Sequence, residues 1–158
     1  MQINPIGVIH SPYKQIANMP IQPSGARGQI GQIELDPELT EGLADLEGFS
    51  HLMVLYHFHQ VTKVSLTVTP FLDAAPHGVF ATRAPTRPNH IGLSILKLLR
   101  IEGNILTVEN IDILDGSPLL DIKPYVPKFD LPEEEIQTGW LEESPDDLQA
   151  TRSDKRFS

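Results

Sequence analysis

Alternating apolar and polar residues recur along the chain and predict β-strands. The clearest case is 50–60, where Leu52, Val54, Tyr56 and Phe58 alternate with more polar neighbours, as in a strand with one buried face. Similar patterns predict strands at 3–10, 28–35, 64–69, 78–82, 92–102, 105–114 and 119–126. A Gly-Asn pair at 103–104, typical of a two-residue hairpin turn, connects two of these strands.

A single helix is predicted among the strands. Asp36 suits the N-cap position, Pro37 suits the first helical position, three leucines then share one face, and Gly48 ends the segment. Strands without a regular strand–helix alternation predict an all-β fold, a mainly antiparallel β-barrel or sandwich with one short helix.

The composition changes after Pro127, which divides the chain into a domain at 1–129 and an irregular, acidic C-terminal tail at 130–158. The tail has nine acidic and three basic residues, so it carries −6 of the net charge of −9. We expect its last dozen residues to be disordered and Trp140 to dock on the body or on a neighbouring subunit. The net charge argues against DNA as a partner, but the nearly neutral domain permits a specific RNA.

Location can also be predicted from composition. The sequence has no cysteine, no apolar stretch of the ~20 residues needed to cross a bilayer, and no start typical of a signal peptide. We therefore expect a cytoplasmic protein without a membrane partner.

A proline-rich segment between two predicted strands carries candidate chemistry. Arg83, Arg87 and Asn89 lie here with prolines at 85 and 88, which stiffen the backbone. Guanidinium groups are suited to carboxylates, phosphates or base edges, so we predict a functional loop. The alternative is a structural corner held by bonds from arginine to carbonyl groups.

Two histidines suggest a different function. His57 and His59 are two residues apart on one predicted strand face, a spacing that can provide two ligands to a metal ion. The alternative is that they line a polar barrel interior or an interface. Neither a serine-hydrolase nucleophile elbow nor a glycine-rich nucleotide loop is present.

The last predicted strand carries a polar row. Asp121, Lys123 and Tyr125 alternate on one face, which is compatible with a binding surface or with an ordinary surface ion pair beside a tyrosine. Pro124 in the opposite register indicates an edge strand or an amide position without a partner.

Taken in order, several motifs over residues 3–129 together resemble the TsaA/TrmO family. They are GVIHSPYK at 7–14, LEGFSHL at 46–52, ATR at 81–83 with TRPN at 86–89, IGLS at 91–94, DGSP at 115–118 and DIKPY at 121–125. His90 follows the TRPN motif, where family members commonly have proline.

The resemblance implies a β-barrel methyltransferase that uses S-adenosylmethionine. The implied substrate is tRNA, methylated at N6 of the threonylcarbamoyladenosine next to the anticodon, and the implied assembly is a homodimer. Methyl transfer to a small molecule by the same fold remains an alternative, as does a non-catalytic barrel that binds a metal or small ligand through His57 and His59.

The resemblance also implies roles for individual positions. Cofactor contacts fall on Pro23, Ser24, Gly25, His59, Gln60, Val61, Arg83, Ser94, Ile111, Asp112, Ile113 and Leu114. Substrate contacts fall on Arg87, Asn89, Asp121, Lys123 and Tyr125. Arg83 is expected to pair with the methionine carboxylate or an RNA phosphate. Asp121, His59 and Tyr125 are open alternatives for the group that accepts the N6 proton, and no metal is implied.

Overall fold

The computed structural model describes residues 1–143, 150–154, 156 and 157. In this part of the chain, six strands form a closed barrel in the order β1-β2-β7-β6-β3-β8, and every neighbouring pair is antiparallel. The barrel strands are β1 Gly7–His10, β2 Ile30–Leu35, β3 His51–His57, β6 Ile91–Glu102, β7 Ile105–Glu109 and β8 Ser117–Pro124. The all-β, mainly antiparallel barrel expected from the sequence is therefore confirmed.

Alternation along the strands fills the barrel interior. Along β3 the side chains of Leu52, Val54 and Tyr56 are buried, while the residues between them are half-buried on the outside. Fully buried aliphatic side chains from the other strands complete this core, because successive residues of a strand point to opposite faces of the sheet. These side chains include Ile9, Ile33, Leu96, Leu106, Val108 and Leu119.

A small second sheet lies outside the barrel. It consists of β4 Thr67–Val68 and β5 His77–Gly78, so the predicted strands at 64–69 and 78–82 are much shorter than expected. The chain does not continue as a strand after Gly78. It forms a 3₁₀ turn at Val79–Ala81, in which the Thr82 amide donates to the Val79 carbonyl over 3.1 Å.

The helix prediction is wrong about the type of helix. Its residues form two 3₁₀ segments, Pro37–Leu43 and Leu46–Gly48, separated by Asp45 in a left-handed conformation. The Asp36 side chain makes no capping hydrogen bond. The Thr40 hydroxyl donates to the Pro37 carbonyl, the group that the next amide would use in an α-helix. No side chain of either segment is fully buried, so packing provides little support for a regular helix.

Part of the acidic tail is ordered against the body. After the single helical turn α1, Pro127–Asp130, and a 3₁₀ segment at Gly139–Glu143, the Trp140 indole donates to the Ala81 carbonyl over 2.8 Å. The expectation that Trp140 docks on the body is confirmed.

The expected disorder of the last dozen residues is wrong for the described ones. Backbone hydrogen bonds join Ser153 to Asn18 and Met19, and Phe157 is buried. No helix among the described residues is long and apolar enough to cross a membrane.

Candidate functional site

A cleft of about 910 Å³ opens at one end of the barrel. One side is formed by the end of β3, the start of β6, the start of β8 and residues 112–114. Loop residues 16–22 and 79–87 form the other side, together with Trp140 and Phe157 from the tail. The cleft therefore lies where the barrel strands end and three loops converge.

Strand β7 is shorter than the sequence predicted. The segment 111–114 therefore follows the strand instead of belonging to it, and it reaches the cleft. The strand stops at Glu109, and Asn110 adopts a left-handed conformation with φ of 68°. The Asn110 side-chain oxygen accepts a hydrogen bond from the Gly28 amide over 3.0 Å, which fixes this turn. After it, Ile111 and Ile113 are buried, and Asp112 lines the cleft.

A chain of hydrogen bonds joins Asp112 to the barrel core. The Ser94 hydroxyl donates to Asp112 Oδ1 over 2.7 Å, and the Tyr56 hydroxyl lies 3.4 Å from Ser94 Oγ. Because the serine proton is directed at the carboxylate, tyrosine is the donor in the second contact. Ser94, supported by Tyr56, thus holds the Asp112 carboxylate in one orientation at the floor of the cleft.

Burial dominates the electrostatics of this floor. It raises the pKa of Asp112 from its ordinary 3.8 to about 6, against the opposing effects of the Ser94 hydrogen bond and the Arg83 charge. Burial, together with the Asp112 charge, also raises the pKa of Tyr56 above its ordinary value. At neutral pH the site therefore presents one carboxylate beside a neutral phenol.

Arg83 brings a positive charge to the same cleft. Its Nη1 donates to Gln22 Oε1 over 3.1 Å, and its charge partly opposes the rise in the pKa of Asp112 and of Tyr56. Gln22 immediately precedes the 3₁₀ segment Pro23–Ala26, which includes the predicted cofactor residues Pro23, Ser24 and Gly25. Those three residues do not themselves line the cleft, but this hydrogen bond joins their loop to the arginine loop.

Arg87 lines the cleft and also holds its loop together. Its Nη1 donates to the carbonyl oxygens of Thr82 at 2.9 Å, Ala84 at 3.2 Å and Val79 at 3.4 Å. These bonds correspond to the structural-corner interpretation of the loop. They fix Phe80, whose ring lies 6.0 Å from the Arg87 guanidinium and is 75% exposed at the mouth of the cleft.

The two histidines do not share a strand face, so that prediction is wrong. β3 ends at His57, and the chain turns through a hydrogen bond from the His59 amide to the His57 carbonyl. The His57 ring lies 6.2 Å from that of His90, whereas His59 Nδ1 lies 3.3 Å from Ser117 Oγ inside the cleft. Among the described residues, no three His, Asp or Glu side chains form a group that could hold a metal ion.

The other predicted positions fall into two groups. Gln60, Val61, Ile113 and Leu114 line the cleft. Asn89, Asp121, Lys123 and Tyr125 do not.

The polar row Asp121, Lys123 and Tyr125 lies outside the cleft because of the direction in which β8 runs. The strand starts at the cleft with Ser117 and runs away from it, and beyond Leu119 it pairs only with β3. Asp121 and Lys123 form an exposed ion pair with Oδ2 and Nζ 2.7 Å apart, which agrees with the surface-pair interpretation. This arrangement also matches the edge-like character that Pro124 indicated.

Sequence reasoning missed several cleft residues. Phe80, Trp140 and Phe157 line the cleft, and Tyr56 supports Asp112 from the barrel interior. The only local signal was the isolated tryptophan in an acidic tail, because an aromatic residue that lines a cleft resembles any apolar residue in a sequence.

Comparisons with known proteins identify the family. The family model described as the tRNA-methyltransferase O N-terminal domain matches residues 8–131. A Pyrococcus abyssi protein, named a probable S-adenosyl-L-methionine-binding protein, is 52% identical over 153 residues, which cover 97% of this chain and 83% of that protein. A mouse tRNA (adenine(37)-N6)-methyltransferase is 36% identical over 82% of this chain but only 32% of its own length.

A solved structure agrees with the sequence comparisons. The crystal structure of TrmO from Pseudomonas aeruginosa superposes with a TM-score of 0.74 and 39% sequence identity, over 89% of this chain and 62% of that one. This chain thus spans most of the Pyrococcus relative, but less than two thirds of the Pseudomonas protein. The sequence, the barrel and the solved structure lead to one conclusion: the chain belongs to the tRNA-methyltransferase O N-terminal domain family.

Proposed function

We propose that this chain is an S-adenosylmethionine-dependent methyltransferase that methylates N6 of threonylcarbamoyladenosine next to the anticodon of tRNA. Family membership supports the reaction class, and the mouse relative carries the name of a tRNA adenine N6-methyltransferase. The observation that carries the proposal is one cleft lined both by the oriented carboxylate of Asp112 and by Arg83, whose charge acts on that carboxylate.

The chemistry of the cleft fits S-adenosylmethionine. The ribose diol of the cofactor needs an acceptor, which the Asp112 carboxylate provides. Its methionyl carboxylate needs a cation, which Arg83 provides. Its adenine needs apolar cover and backbone partners, which residues 113–114 and 59–61 offer at the edge of the cleft. We therefore assign these groups to cofactor binding.

The residues of the chain contribute mainly positioning. The cofactor, when bound, supplies a methyl group that its sulfonium centre already activates. Ser94 and Tyr56 hold Asp112 in place, and Arg87 fixes the loop that carries Arg83. Aromatic side chains around the cleft exclude water, which favours alignment of the reacting groups.

The N6 nitrogen must also lose a proton. Of the three open alternatives, Asp121 and Tyr125 do not line the cleft, whereas His59 does. We therefore propose His59 as the acceptor, with its Nδ1 oriented by Ser117 Oγ.

The RNA side of the proposal rests on the mouth of the cleft. Phe80 presents an exposed ring there beside Arg83 and Arg87, and unpaired RNA bases commonly stack on aromatic and guanidinium groups. We also propose that the protein acts in the cytoplasm as a homodimer, with neither DNA nor a membrane as partner. Exposed Leu93 and Leu99 on β6 offer apolar surface for a subunit contact.

The first experiment is a calorimetric titration of the protein with S-adenosylmethionine and with its demethylated product. We expect saturation near one cofactor per subunit. Transfer of labelled methyl is then measured to an anticodon stem-loop with threonylcarbamoyladenosine and to the same stem-loop with plain adenosine. Transfer to the modified RNA alone supports the full proposal. Cofactor binding without transfer to either RNA would contradict the RNA substrate and favour a small-molecule acceptor.

Substitutions distinguish the methyltransferase from a ligand-binding barrel that uses His57 and His59. Arg83→Ala should weaken cofactor binding, whereas His57→Ala should leave it unchanged, because His57 lies outside the cleft. Loss of all ligand binding in His57→Ala, with full binding in Arg83→Ala, would reverse the assignment.

A further inference from the structure

The described residues of the C-terminal segment, 150–154, 156 and 157, contribute to the lining of the cleft. Pro20 and Arg152 form an antiparallel β-bridge, and the Ser153 amide donates to the Met19 carbonyl over 2.8 Å. The Ser153 hydroxyl donates to the Ile16 carbonyl and accepts the Met19 amide at 2.9 Å. Ser153 and Asp154 then line the cleft itself. This segment is thus a wall of the site.

The end of the segment packs beneath the arginine loop. Phe157 is buried in a small apolar cluster with Val68, Val79 and Ala84, and its ring meets Phe71 edge-on at 5.2 Å. Val79 and Ala84 also provide two of the carbonyls that bind Arg87. The backbone that sets the directions of Phe80 and Arg83 therefore rests on the Phe157 ring.

Arg156 fixes the neighbouring chain. Its Nη1 donates to the carbonyls of Pro70 at 2.9 Å and Thr69 at 3.3 Å, and its guanidinium lies 4.7 Å from the Phe71 ring. Asp154 pairs with Arg156 over 2.8 Å, which holds the guanidinium in this position. Through Phe71, these contacts give the tail a second attachment to the cluster that contains Phe157.

From these contacts we propose that Phe157 is a positioning residue, through which the docked C-terminal segment holds the loop 79–87 in its binding geometry. The inference extends the proposed function, on which its binding readout depends, and it concerns residues beyond the 8–131 covered by the family model. Small clusters of this kind open locally without unfolding the main core, so loss of the ring should release the loop and leave the barrel folded.

The test compares Phe157→Ala with Phe157→Leu, which keeps an apolar side chain, and with Ile136→Ala. Ile136 is a matched control because it belongs to the same tail, is 58% exposed and does not line the cleft. We expect Phe157→Ala to weaken S-adenosylmethionine binding about tenfold. We expect Phe157→Leu to recover most of the affinity, and Ile136→Ala to match the unsubstituted protein.

Amide hydrogen exchange gives a readout that does not require the cofactor. In Phe157→Ala, the amides of Val79 and Thr82 should exchange at least tenfold faster, since their acceptors at Leu66 and Val79 belong to this region. Barrel amides of β3 should keep their protection. If exchange accelerates and the unsubstituted protein binds no cofactor, the proposed function fails while the positioning role is retained. Unchanged exchange at the loop, or unchanged cofactor affinity in a protein that does bind, would overturn the inference.

Discussion

At the scale of single residues, Asp112 is a buried carboxylate with a raised pKa, held by a short hydrogen bond from Ser94. Burial disfavours the ionised form of Asp112. The hydrogen bond from Ser94 and the charge of Arg83 partly offset this effect. When ionised, such a carboxylate destabilises the folded state, so binding is the better explanation for its position. Two predictions concern this residue.

Asp112→Asn should stabilise the protein at alkaline pH. The pKa of this carboxyl is raised from 3.8 to about 6, so its ionisation disfavours the folded state by up to ~3 kcal/mol, at 1.36 kcal/mol per pKa unit. This cost is absent below pH 3.8 and grows as the pH rises through about 6. Urea denaturation should give the asparagine variant an advantage of about 1–2 kcal/mol at pH 8, after loss of the charged hydrogen bond. If the asparagine variant and the unsubstituted protein had the same free energy of unfolding at pH 5 and also at pH 8, the prediction would be contradicted.

The same substitution should weaken S-adenosylmethionine binding. Hydrogen bonds to a charged acceptor contribute about 1.5–3 kcal/mol, which corresponds to roughly 10- to 100-fold in affinity. Calorimetry at pH 8 measures the change, and Asp121→Asn is the control because Asp121 lies on the surface outside the cleft. An equal loss in both variants would show that net charge, and not the ribose acceptor, determines binding.

Phe80→Ala should raise the KM for the anticodon stem-loop and leave cofactor affinity unchanged. Stacking of a base on an aromatic side chain is worth about 1–3 kcal/mol, so we expect a 5- to 100-fold change. Phe129→Ala is the matched control, since Phe129 is 73% exposed against 75% for Phe80 but lies on α1 outside the cleft. A similar rise in KM for Phe129→Ala would mean that removing any exposed aromatic side chain has this effect, and that stacking at Phe80 does not explain it.

At the scale of elements, β6 and β3 connect the barrel core to the site. Gly92 on β6 faces Tyr56 on β3. A Cβ at Gly92 would lie 2.4 Å from the Tyr56 ring, so only glycine allows the phenol to reach Ser94. The packing of two strands therefore determines the orientation of Asp112.

Gly92→Ala should disturb both stability and binding. The ring of Tyr56 is buried and has to move, and such overpacking typically costs about 1–3 kcal/mol. Gly42→Ala is the control, because no atom lies within 4 Å of the added methyl group there. Thermal denaturation and cofactor calorimetry should both separate the two variants. Normal affinity in a destabilised Gly92→Ala protein would show that the Tyr56 hydroxyl is not needed to orient the carboxylate.

At the scale of the whole molecule, the charge distribution limits how the chain can hold RNA. The net charge of −9 disfavours non-specific attraction to RNA, so we expect binding to depend on local cations at the cleft mouth. Recognition should then depend on the shape and stacking of one modified nucleotide.

The salt dependence of the affinity for RNA tests this expectation. Each neutralised phosphate of a single strand contributes about −0.7 to the slope of log affinity against log salt. Since Arg83 is assigned to the cofactor, Arg87 is the arginine left for a phosphate among the described residues that line the cleft, and we expect a slope of about −1 for the modified stem-loop. A slope steeper than about −4 would indicate an extended basic surface, for instance one completed by a second subunit.

The sequence alone determined the barrel, and it predicted several residues that line the candidate cleft. Side-chain direction alternates along a strand, so the buried faces around Leu52, Val54 and Tyr56 could be predicted from local pattern. The family resemblance likewise implied that Arg83, Asp112 and Ser94 belong to one site, and in the structure Arg83 and Asp112 line the cleft while Ser94 binds Asp112. Such local and motif signals do not depend on how distant segments meet.

Only the tertiary structure decided how the loops run. The separation of His57 from His59 depends on a turn closed after β3, and the path of Asp112 depends on the bond between Asn110 and Gly28. The docking of Phe157 depends on a cluster whose other members lie more than 70 residues away along the chain. Contacts between distant segments leave no local periodicity, so the last dozen residues were expected to be disordered, although Ser153, Asp154 and Phe157 among them line the cleft.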